Sequence, residues 1–321
     1  MKRTIAWIAA ALLLFCFAAC IPVVGCVSCS GISCNGVSVS MPLRYADAEK
    51  YTAGNFTYES AEVKKVEIEW ASGDVTLKNG TGTLSVSEAG SDTLKEEDRL
   101  HWWIDGTTLK IKYCKSGTKI SLTDLAEKDL SVELPAFADL EIEIGSGRIA
   151  AENMLDLGKL EIDSASGGTD LPYLSAKEVV VRSASGGLNF GRASVSGDFK
   201  IETASGGFSI DEIFAETIDV KSASGDVSFG RITAKKVDVD NASGLIALWL
   251  HRADEVEIDS ASGSVRIRLD DKEGGASIRF RAVSGSFRTE LPYEKNDNTY
   301  TIGNGLIRMD IDVTSGSVTI E

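Results

Sequence analysis

The chain is built on one short motif that returns at nearly constant spacing. The motif is Ser-Ala-Ser-Gly or a close variant, and its full form occupies residues 161–168 and again residues 180–187. Further copies end at Gly206, Gly225, Gly244, Gly263 and Gly285, and looser copies end at Gly73, Gly147 and Gly316. From Gly147 to Gly263 the glycines lie 20, 19, 20, 19, 19 and 19 residues apart. Internal repeats of this length are typical of solenoids and related arrays.

Both flanks of the motif alternate between apolar and polar residues. In the copy that ends at Gly186, Val179 and Val181 precede the glycine, and Leu188 and Phe190 follow it. Alternation with a period of two is typical of β-strands that bury one face. One such unit cannot bury its apolar face alone, but stacked units join their faces into one core. The sequence therefore predicts an all-β, single-domain β-solenoid (β-helix-like) with coils of 19–20 residues.

The motif predicts a sharp corner between the two strands of each coil. Glycine adopts the positive φ that such a corner requires, and the Ser, Ala and Ser before it are small. Three residues before the glycine, six copies carry a hydroxyl or amide: Ser164, Ser183, Thr203, Ser222, Asn241 and Ser260. These side chains either form a ladder along the stack or belong to a tight turn.

The chain divides into an N-terminal export or anchoring segment, a tether and the repeat domain. Residues 1–27 are assigned to a signal peptide, a lipoprotein signal or a membrane anchor. Residues 28–59 are rich in small and polar side chains and are assigned to a tether. The solenoid takes residues 60–321, divided into irregular coils with an insert (78–139), regular repeats (140–270) and closing coils (271–321).

The N-terminal segment has the features of an export signal. Lys2 and Arg3 precede an apolar run over residues 5–19. Residues 23–26, Val-Val-Gly-Cys, resemble the lipobox of bacterial lipoproteins, which implies acylation of Cys26, with Cys20 as a second candidate. An uncleaved membrane helix and ordinary signal cleavage are the alternatives. We expect an exported protein that is anchored to the membrane and faces outward in the cell envelope.

Charge, cysteine and histidine content argue against several classes of protein. The net charge of −15 leaves little to neutralise phosphates, so nucleic acid is not an expected partner. Five of the six cysteines precede residue 35, and a disulfide framework would spread them through the fold. The two histidines, His101 and His251, are isolated, and no catalytic or phosphate-binding motif occurs. We expect no catalytic residues, no cofactor and no bound metal.

The outward positions of the first strand carry acidic side chains in several coils. The principal members are Glu141, Glu143, Glu161, Asp163, Asp238, Asp240, Glu257 and Asp259. If the coils stack in register, these carboxylates form an acidic face with one strand spacing between neighbours. Such a face holds cations such as Ca²⁺, attracts a basic partner, or only keeps the protein soluble.

One aromatic residue is also predicted to point outward. In the second strand of its coil, Trp249 alternates with the apolar residues Leu248 and Leu250. An outward tryptophan either stacks on a sugar or a protein partner, or lies under a neighbouring loop. Trp249 is therefore the candidate for an exposed aromatic contact with a ligand.

Three segments resemble a known family. Residues 66–75 resemble the first strand pair, residues 131–135 the middle strand and residues 303–318 the closing coil of the bacterial adhesin family called domain of unknown function 4097. The resemblance extends over residues 50–321. It implies an envelope β-solenoid with a role in adhesion or envelope stress, and it implies no catalytic residues. The expected function is a non-catalytic surface interaction module, with a carbohydrate-binding or polysaccharide-active β-helix protein as the alternative.

The partners expected from the sequence are the membrane, through the N-terminal segment, and a protein or glycan at the cell surface. A further expectation concerns the C-terminal strand. The last alternating segment, residues 317–320, directly precedes Glu321. We expect this strand to form an open sheet edge, through which the protein self-associates.

Overall fold

The computed structural model describes residues 40–59, 62–80, 83–121 and 126–321. The predicted export signal and the lipidation candidates Cys20 and Cys26 lie outside these residues. Within them, no helix has the length and apolar character needed to cross a membrane.

The described residues are nearly all β-structure. Their helical elements are three short 3-10 helices, Ala48–Lys50, Ser91–Thr93 and Glu96–Asp98. The N-terminal part contains β1 (Ser40–Pro42), β2 (Thr52–Ala53), β3 (Phe56–Glu59), β4 (Lys65–Ser72), β5 (Val75–Asn79), β6 (Thr83–Glu88), β7 (His101–Asp105), β8 (Thr108–Lys112), β9 (Lys119–Ser121) and β10 (Leu130–Leu134).

The regular coils and the closing part contain the remaining strands. The regular coils contain β11 (Asp139–Ser146), β12 (Ile149–Ala151), β13 (Leu155–Asp156), β14 (Lys159–Ser164), β15 (Thr169–Ala176), β16 (Glu178–Ser185), β17 (Leu188–Val195), β18 (Asp198–Ser205), β19 (Phe208–Phe214), β20 (Thr217–Ser222), β21 (Val227–Thr233), β22 (Lys236–Arg252) and β23 (Glu255–Leu269). The closing part contains β24 (Ala276–Thr289), β25 (Tyr293–Asn296), β26 (Thr299–Ile302) and β27 (Ile307–Ile320).

Successive coils stack as parallel strands in register. The first strands β14, β16, β18, β20 and β22 pair in that order, and the second strands β15, β17, β19, β21 and β22 do the same. Ile162, Val181 and Ile201 therefore lie side by side on three successive coils. From β22 onward each coil is one long strand that runs through the corner. The nearly all-β, solenoid-like architecture predicted from the spacing is confirmed.

The inward residues of the two strands form one core that runs the length of the stack. Leu160, Ile162, Val179 and Val181 are all 0% exposed. Each fully buried side chain of this size contributes roughly 1.5–3 kcal/mol to folding relative to an exposed one. No layer of helices is needed, because the two strands of each coil bury each other's apolar faces.

Each corner glycine packs directly on the glycine of the preceding coil. Gly167 and Gly186 have φ values of 115° and 125°, in the left-handed region that favours glycine. A Cβ added to Gly186 would lie 1.8 Å from the carbonyl oxygen of Gly167. Glycine is therefore required here twice, by its backbone conformation and by the approach of the neighbouring coil.

Three of the hydroxyls that lie three residues before the glycine bond within their own corner and not to one another, whereas those of Ser222 and Ser260 have no hydrogen-bond partner among the described residues. Ser164, Ser183 and Thr203 are buried, and each donates to a backbone carbonyl two residues further along its own chain, at 3.4, 3.2 and 3.3 Å. Each of these three hydroxyls thus provides a hydrogen bond to a backbone carbonyl in the corner of its own coil. The tight-turn interpretation is the one that these contacts support.

The assignment of residues 40–59 to a tether is wrong. Strand β1 pairs with β9, β2 with β7 and β3 with β6, and Leu43 is 2% exposed. These residues contain Tyr45, Tyr51 and Phe56, which pack against Trp102, Trp103 and the core. Their aromatic side chains bury enough surface to order a segment whose average composition is that of a linker.

The prediction that the C-terminal strand is the open edge is also wrong. Strand β27 lies between β23 and β24, so Ile320 has Ile267 on one side and Thr289 on the other. An interior coil needs apolar side chains on its inward face, and β27 supplies Val313 and Ile320 where β24 has Ala282 and Thr289. The less apolar strand, β24, therefore occupies the end of the stack.

Two adjacent glycines test the packing of the corners. Replacing Gly186 with Ala is expected to lower the free energy of unfolding by at least about 1–2 kcal/mol, because a left-handed residue acquires a Cβ and the coils must move apart. Gly187→Ala is the matched control, since nothing lies within 4 Å of its added Cβ. Urea unfolding followed by circular dichroism measures both. Equal stability of the two variants would contradict the packing described.

Candidate functional site: a charged groove along the coils

A groove of about 1120 Å³ runs along the outside of the stack beside the corners. Eight coils line it, and most contribute three consecutive residues: a charged side chain, a buried hydroxyl or amide, and an alanine. Asp240, Asn241 and Ala242 are one such set. With one strand spacing between coils, the groove is about 34 Å long.

The alanines explain why a groove exists at this place. The charged residue and the alanine lie four and two residues before the glycine, so period-two alternation directs both outward. Ala223, Ala242 and Ala261 fill little of the space between the charged wall and the corner. A small residue at an outward position was the sequence signal for this groove. The motif predicts a corner, but that prediction does not extend to a groove.

The wall of the groove is a column of charges in register. From the N-terminal side it consists of Asp163, Arg182, Glu202, Lys221, Asp240, Asp259, Asp312 and Arg281. The middle of the column alternates in sign, whereas Asp240, Asp259 and Asp312 are three consecutive acids. Neighbouring like charges repel, so this part of the wall favours a positive partner.

A second column lies further from the groove on the same face. It brings Glu141 beside Glu161, and Asp238 beside Glu257. Of the eight acidic residues predicted from the sequence, Asp163, Asp240 and Asp259 line the groove. The other five lie on the same sheet face outside it, and Glu143 stands directly beside Asp163.

The N-terminal acids are mostly neutralised by ion pairs. The Lys65 ammonium lies 2.6 Å from a carboxylate oxygen of Glu141, and Arg182 lies 2.8 Å from Glu161 and 3.2 Å from Asp163. Burial alone would raise the pKa of Glu161, but hydrogen bonds from Arg182 and Lys159 lower it. Glu143 makes no ion pair with the described residues. Burial, followed by the charges of Glu69, Asp163 and Glu141, raises its pKa to about 7.

The C-terminal acids keep more of their charge unpaired. Asp310 and Asp312 bind Arg279 and Arg281, and Glu257 binds Lys236. Asp240 and Asp259 form no salt bridge with any residue that the structure describes. Burial raises the pKa of Asp259, and the charges of Asp312 and Asp240 raise it further. These two carboxylates are thus available to an external cation.

The acids do not assemble a metal site. In the described part of the chain no group of three or more His, Cys, Asp or Glu side chains is placed to hold a metal ion. Side chains on a flat strand face point apart, whereas Ca²⁺ requires six to eight converging oxygens. A partner with several separated positive charges fits this arrangement better than a single ion.

Trp249 points outward from its strand as predicted, but its ring is partly covered. The guanidinium carbon of Arg268 lies 4.2 Å from the ring centroid, and the indole N–H donates to Asp270. The residue is half-buried among these charged neighbours. The face that a sugar would stack on is therefore occupied on one side.

The two histidines lie in different parts of the fold. His101 is buried, with Nδ1 3.0 Å from the carbonyl oxygen of Arg99, and burial lowers its pKa. His251 is exposed and contacts Arg231 and Asp270, the latter at 2.8 Å. Among the hydrogen bonds of the described residues, neither ring contacts a Ser, Thr or Cys side chain.

The parallel coils and their corner glycines define a solenoid-like β protein. A family model, Toastrack DUF4097, matches residues 63–321. This chain therefore belongs to the Toastrack DUF4097 family. No curated protein matches the chain.

Three solved structures are similar to the chain at low sequence identity. One is a “putative cell adhesion protein” from Clostridium sporogenes, with 11% identity, coverage of 84% of this chain and 99% of that chain, and a TM-score of 0.23. A “putative adhesin” from Bacteroides fragilis has 12% identity, coverage of 83% and 96%, and a TM-score of 0.48. A “putative adhesin” from Parabacteroides distasonis has 10% identity, coverage of 85% and 97%, and a TM-score of 0.47. At these TM-scores the three structures carry no argument about this chain.

The unpaired Glu143 makes stability depend on pH. A glutamate with a pKa raised to about 7 holds a proton in the folded state that the unfolded chain releases above its ordinary pKa of 4.5. Its stabilising contribution is therefore complete below pH 4.5 and is lost as the pH rises through 7. Glu143→Gln, which stays neutral, is expected to raise the free energy of unfolding at pH 8 by roughly 1–3 kcal/mol and to change it little at pH 4.

Chemical denaturation at several pH values measures this difference. Glu202→Gln is the matched control, because its neighbours in the column are Arg182 and Lys221. It should show no gain at high pH. A Glu143→Gln profile parallel to that of the unmodified protein would contradict the charge environment described.

Proposed function

We propose that the chain is a non-catalytic interaction module of the cell envelope that binds an extended polypeptide with basic residues along the groove. The supporting observation is the run of Asp240, Asp259 and Asp312 on the groove wall, in which the first two carboxylates have no ion pair with the described residues. An extended chain is the shape that matches an open groove about 34 Å long.

The location at the envelope is supported by the N-terminal sequence. Lys2, Arg3 and the apolar run over residues 5–19 favour export, and Cys26 and Cys20 offer lipidation positions that hold the domain to the membrane. The family resemblance implies adhesion or a role in envelope stress. Intact-mass analysis of protein extracted from membranes distinguishes acylation, an uncleaved segment and simple cleavage. Recovery of the full chain in the soluble cytoplasm would rule out the envelope assignment.

The absence of catalysis is part of the same proposal. Both histidines are engaged in the contacts described above, and the groove wall carries one charged side chain per coil. Charged side chains spread along the coils in this way are expected of a binding surface that tracks an extended ligand, whereas an active site needs one distinct cluster. A carbohydrate-stacking function would rest on Trp249, and Arg268 covers one face of that ring.

Binding of a simple cationic peptide tests the groove. A fluorescein-labelled peptide of alternating Lys and Ala, titrated with the full-length protein, is expected to bind with an affinity that falls as salt rises. The double variant Asp240→Asn and Asp259→Asn is expected to weaken binding at least tenfold, because two unpaired charges are removed. Fluorescence anisotropy measures the affinities.

A second variant separates the groove from the general negative charge of the protein. The double variant Glu96→Gln and Glu97→Gln removes two negative charges from exposed residues that do not line the groove. It is expected to leave the affinity within about twofold of the unmodified protein. If it weakens binding as much as the Asp240→Asn and Asp259→Asn variant does, the peptide responds only to net charge and the proposed site is wrong.

A further inference from the structure

The end of the stack is an open strand edge. Strand β27 pairs with β24 from Ala276 to Thr289. On the other side of β24, the hairpin strand β26 covers only Ala276–Arg279, and the backbone N–H of Phe280 donates to Asn298 at 2.9 Å. Over Arg281–Thr289 no strand in the described part of the chain occupies this side. Every second residue there has backbone groups directed to solvent.

The core is also open at this end. Phe280, Ala282 and Phe287 occupy positions that Ile311, Val313 and Val318 fill one coil inside, where exposure is 0%, 4% and 0%. Phe287 stacks on Tyr300 at 4.1 Å and is half-buried, whereas Ala282 is exposed. Val283, beside it, is 85% exposed. A further strand would bury these apolar atoms as well as pair the backbone.

The charged side chains of this edge favour an added strand that carries negative charges. Arg281 and Arg288 stand on its two arms, on either side of the corner at Gly285. Arg281 binds Asp312 on the inner side, while Arg288 forms no salt bridge with a described residue. A strand that continued the register would place one side chain beside each arginine, and acidic side chains are favoured at both positions.

A second copy of this chain fits the edge poorly. Two copies that paired antiparallel about a two-fold axis between Ser284 and Gly285 would set Arg281 of one opposite Arg288 of the other. Like charges directly opposite destabilise a strand pair.

We propose that the edge of β24 from Arg281 to Thr289 is a docking site for an extended acidic segment of another protein, which adds to the stack as one further strand. The backbone groups of the edge supply the affinity, as in other cases of strand addition. Arg281 and Arg288 select acidic side chains at two positions, and Val283 and Phe287 supply apolar contact. This site adjoins the end of the groove, because Arg281 is also the last member of the groove wall, but it takes a partner of opposite charge.

Strand β27, the inner neighbour of β24, supplies the sequence of a peptide probe. Residues 312–320 of β27 pair in register with residues 281–289 of β24. A synthetic peptide with the sequence Asp-Val-Thr-Ser-Gly-Ser-Val-Glu-Ile copies this segment, with Glu in place of the threonine that faces Arg288. The comparison peptides carry Lys at both acidic positions, or Pro in place of the second Ser. Fluorescence anisotropy with the full-length protein measures their affinities.

The acidic peptide is expected to bind at least tenfold more tightly than the lysine peptide, and the proline peptide is expected not to bind, because Pro cannot complete the strand ladder. Arg288→Glu is expected to abolish the preference between the two charged peptides, because Arg281 still favours an acidic side chain while the new carboxylate favours lysine. Arg266→Glu is the matched control, since Arg266 occupies the same column on the interior strand β23. It should change the affinities by no more than about twofold.

Three results would overturn the proposal. Equal binding of the acidic and lysine peptides would show that the arginines select nothing. Unchanged binding of the proline peptide would show that no strand is added. A concentration-dependent dimer in sedimentation velocity that Arg288→Glu strengthens would assign the edge to a second copy, because the new carboxylate would face Arg281 of that copy.

Discussion

The contact between successive corner glycines is the constraint on which the rest of the structure depends. At Gly167, Gly186 and Gly206 the α-carbon faces the carbonyl oxygen of the glycine one coil before, with no room for a side chain. This contact aligns the coils at one point, and the parallel strands on both sides then follow in register. A shift of one residue would move every apolar side chain out of the core, so the corner and the core specify the same register.

Register converts a periodic sequence into continuous surfaces. The inward positions become one continuous core, the outward charges become two columns, and the alanines become the floor of the groove. Like charges that meet within a column destabilise the fold, and the acids at the two ends of the stack differ in how many ion pairs they form. The N-terminal acids receive Lys65 and Arg182, whereas Asp240 and Asp259 stay unpaired within the described residues. That difference is why we assign recognition to the C-terminal half of the groove.

Most of the architecture could be predicted from the sequence because spacing and alternation are local signals. The glycine intervals predict the coils, and residues such as Ile162 and Val181 show which face is buried. The order of the closing coils could not be predicted, because charge alone favours the other order. Arg281 suits a position beside Asp259, whereas the observed pairing of Asp312 with Asp259 brings two like charges together. The packing of residues 40–59 was missed because their aromatic contacts come from the distant Trp102 and Trp103. The acidic face was predicted, but not which of its members lack a partner, since that depends on long side chains such as Lys236 reaching across coils.

The position of β27 is the central claim, because it determines which strand is the edge and which acids line the end of the groove. In this arrangement the hydroxyl oxygens of Ser264 and Ser317 lie 3.3 Å apart, and Ser286 is one coil further on. Cysteines placed at 264 and 317 should therefore form a disulfide under mild oxidation, detected by peptide mass mapping, since paired positions on adjacent strands lie within disulfide reach. Cysteines at 264 and 286 should not form one. A disulfide between 264 and 286, with none between 264 and 317, would show that the coils stack in chain order and would contradict this account.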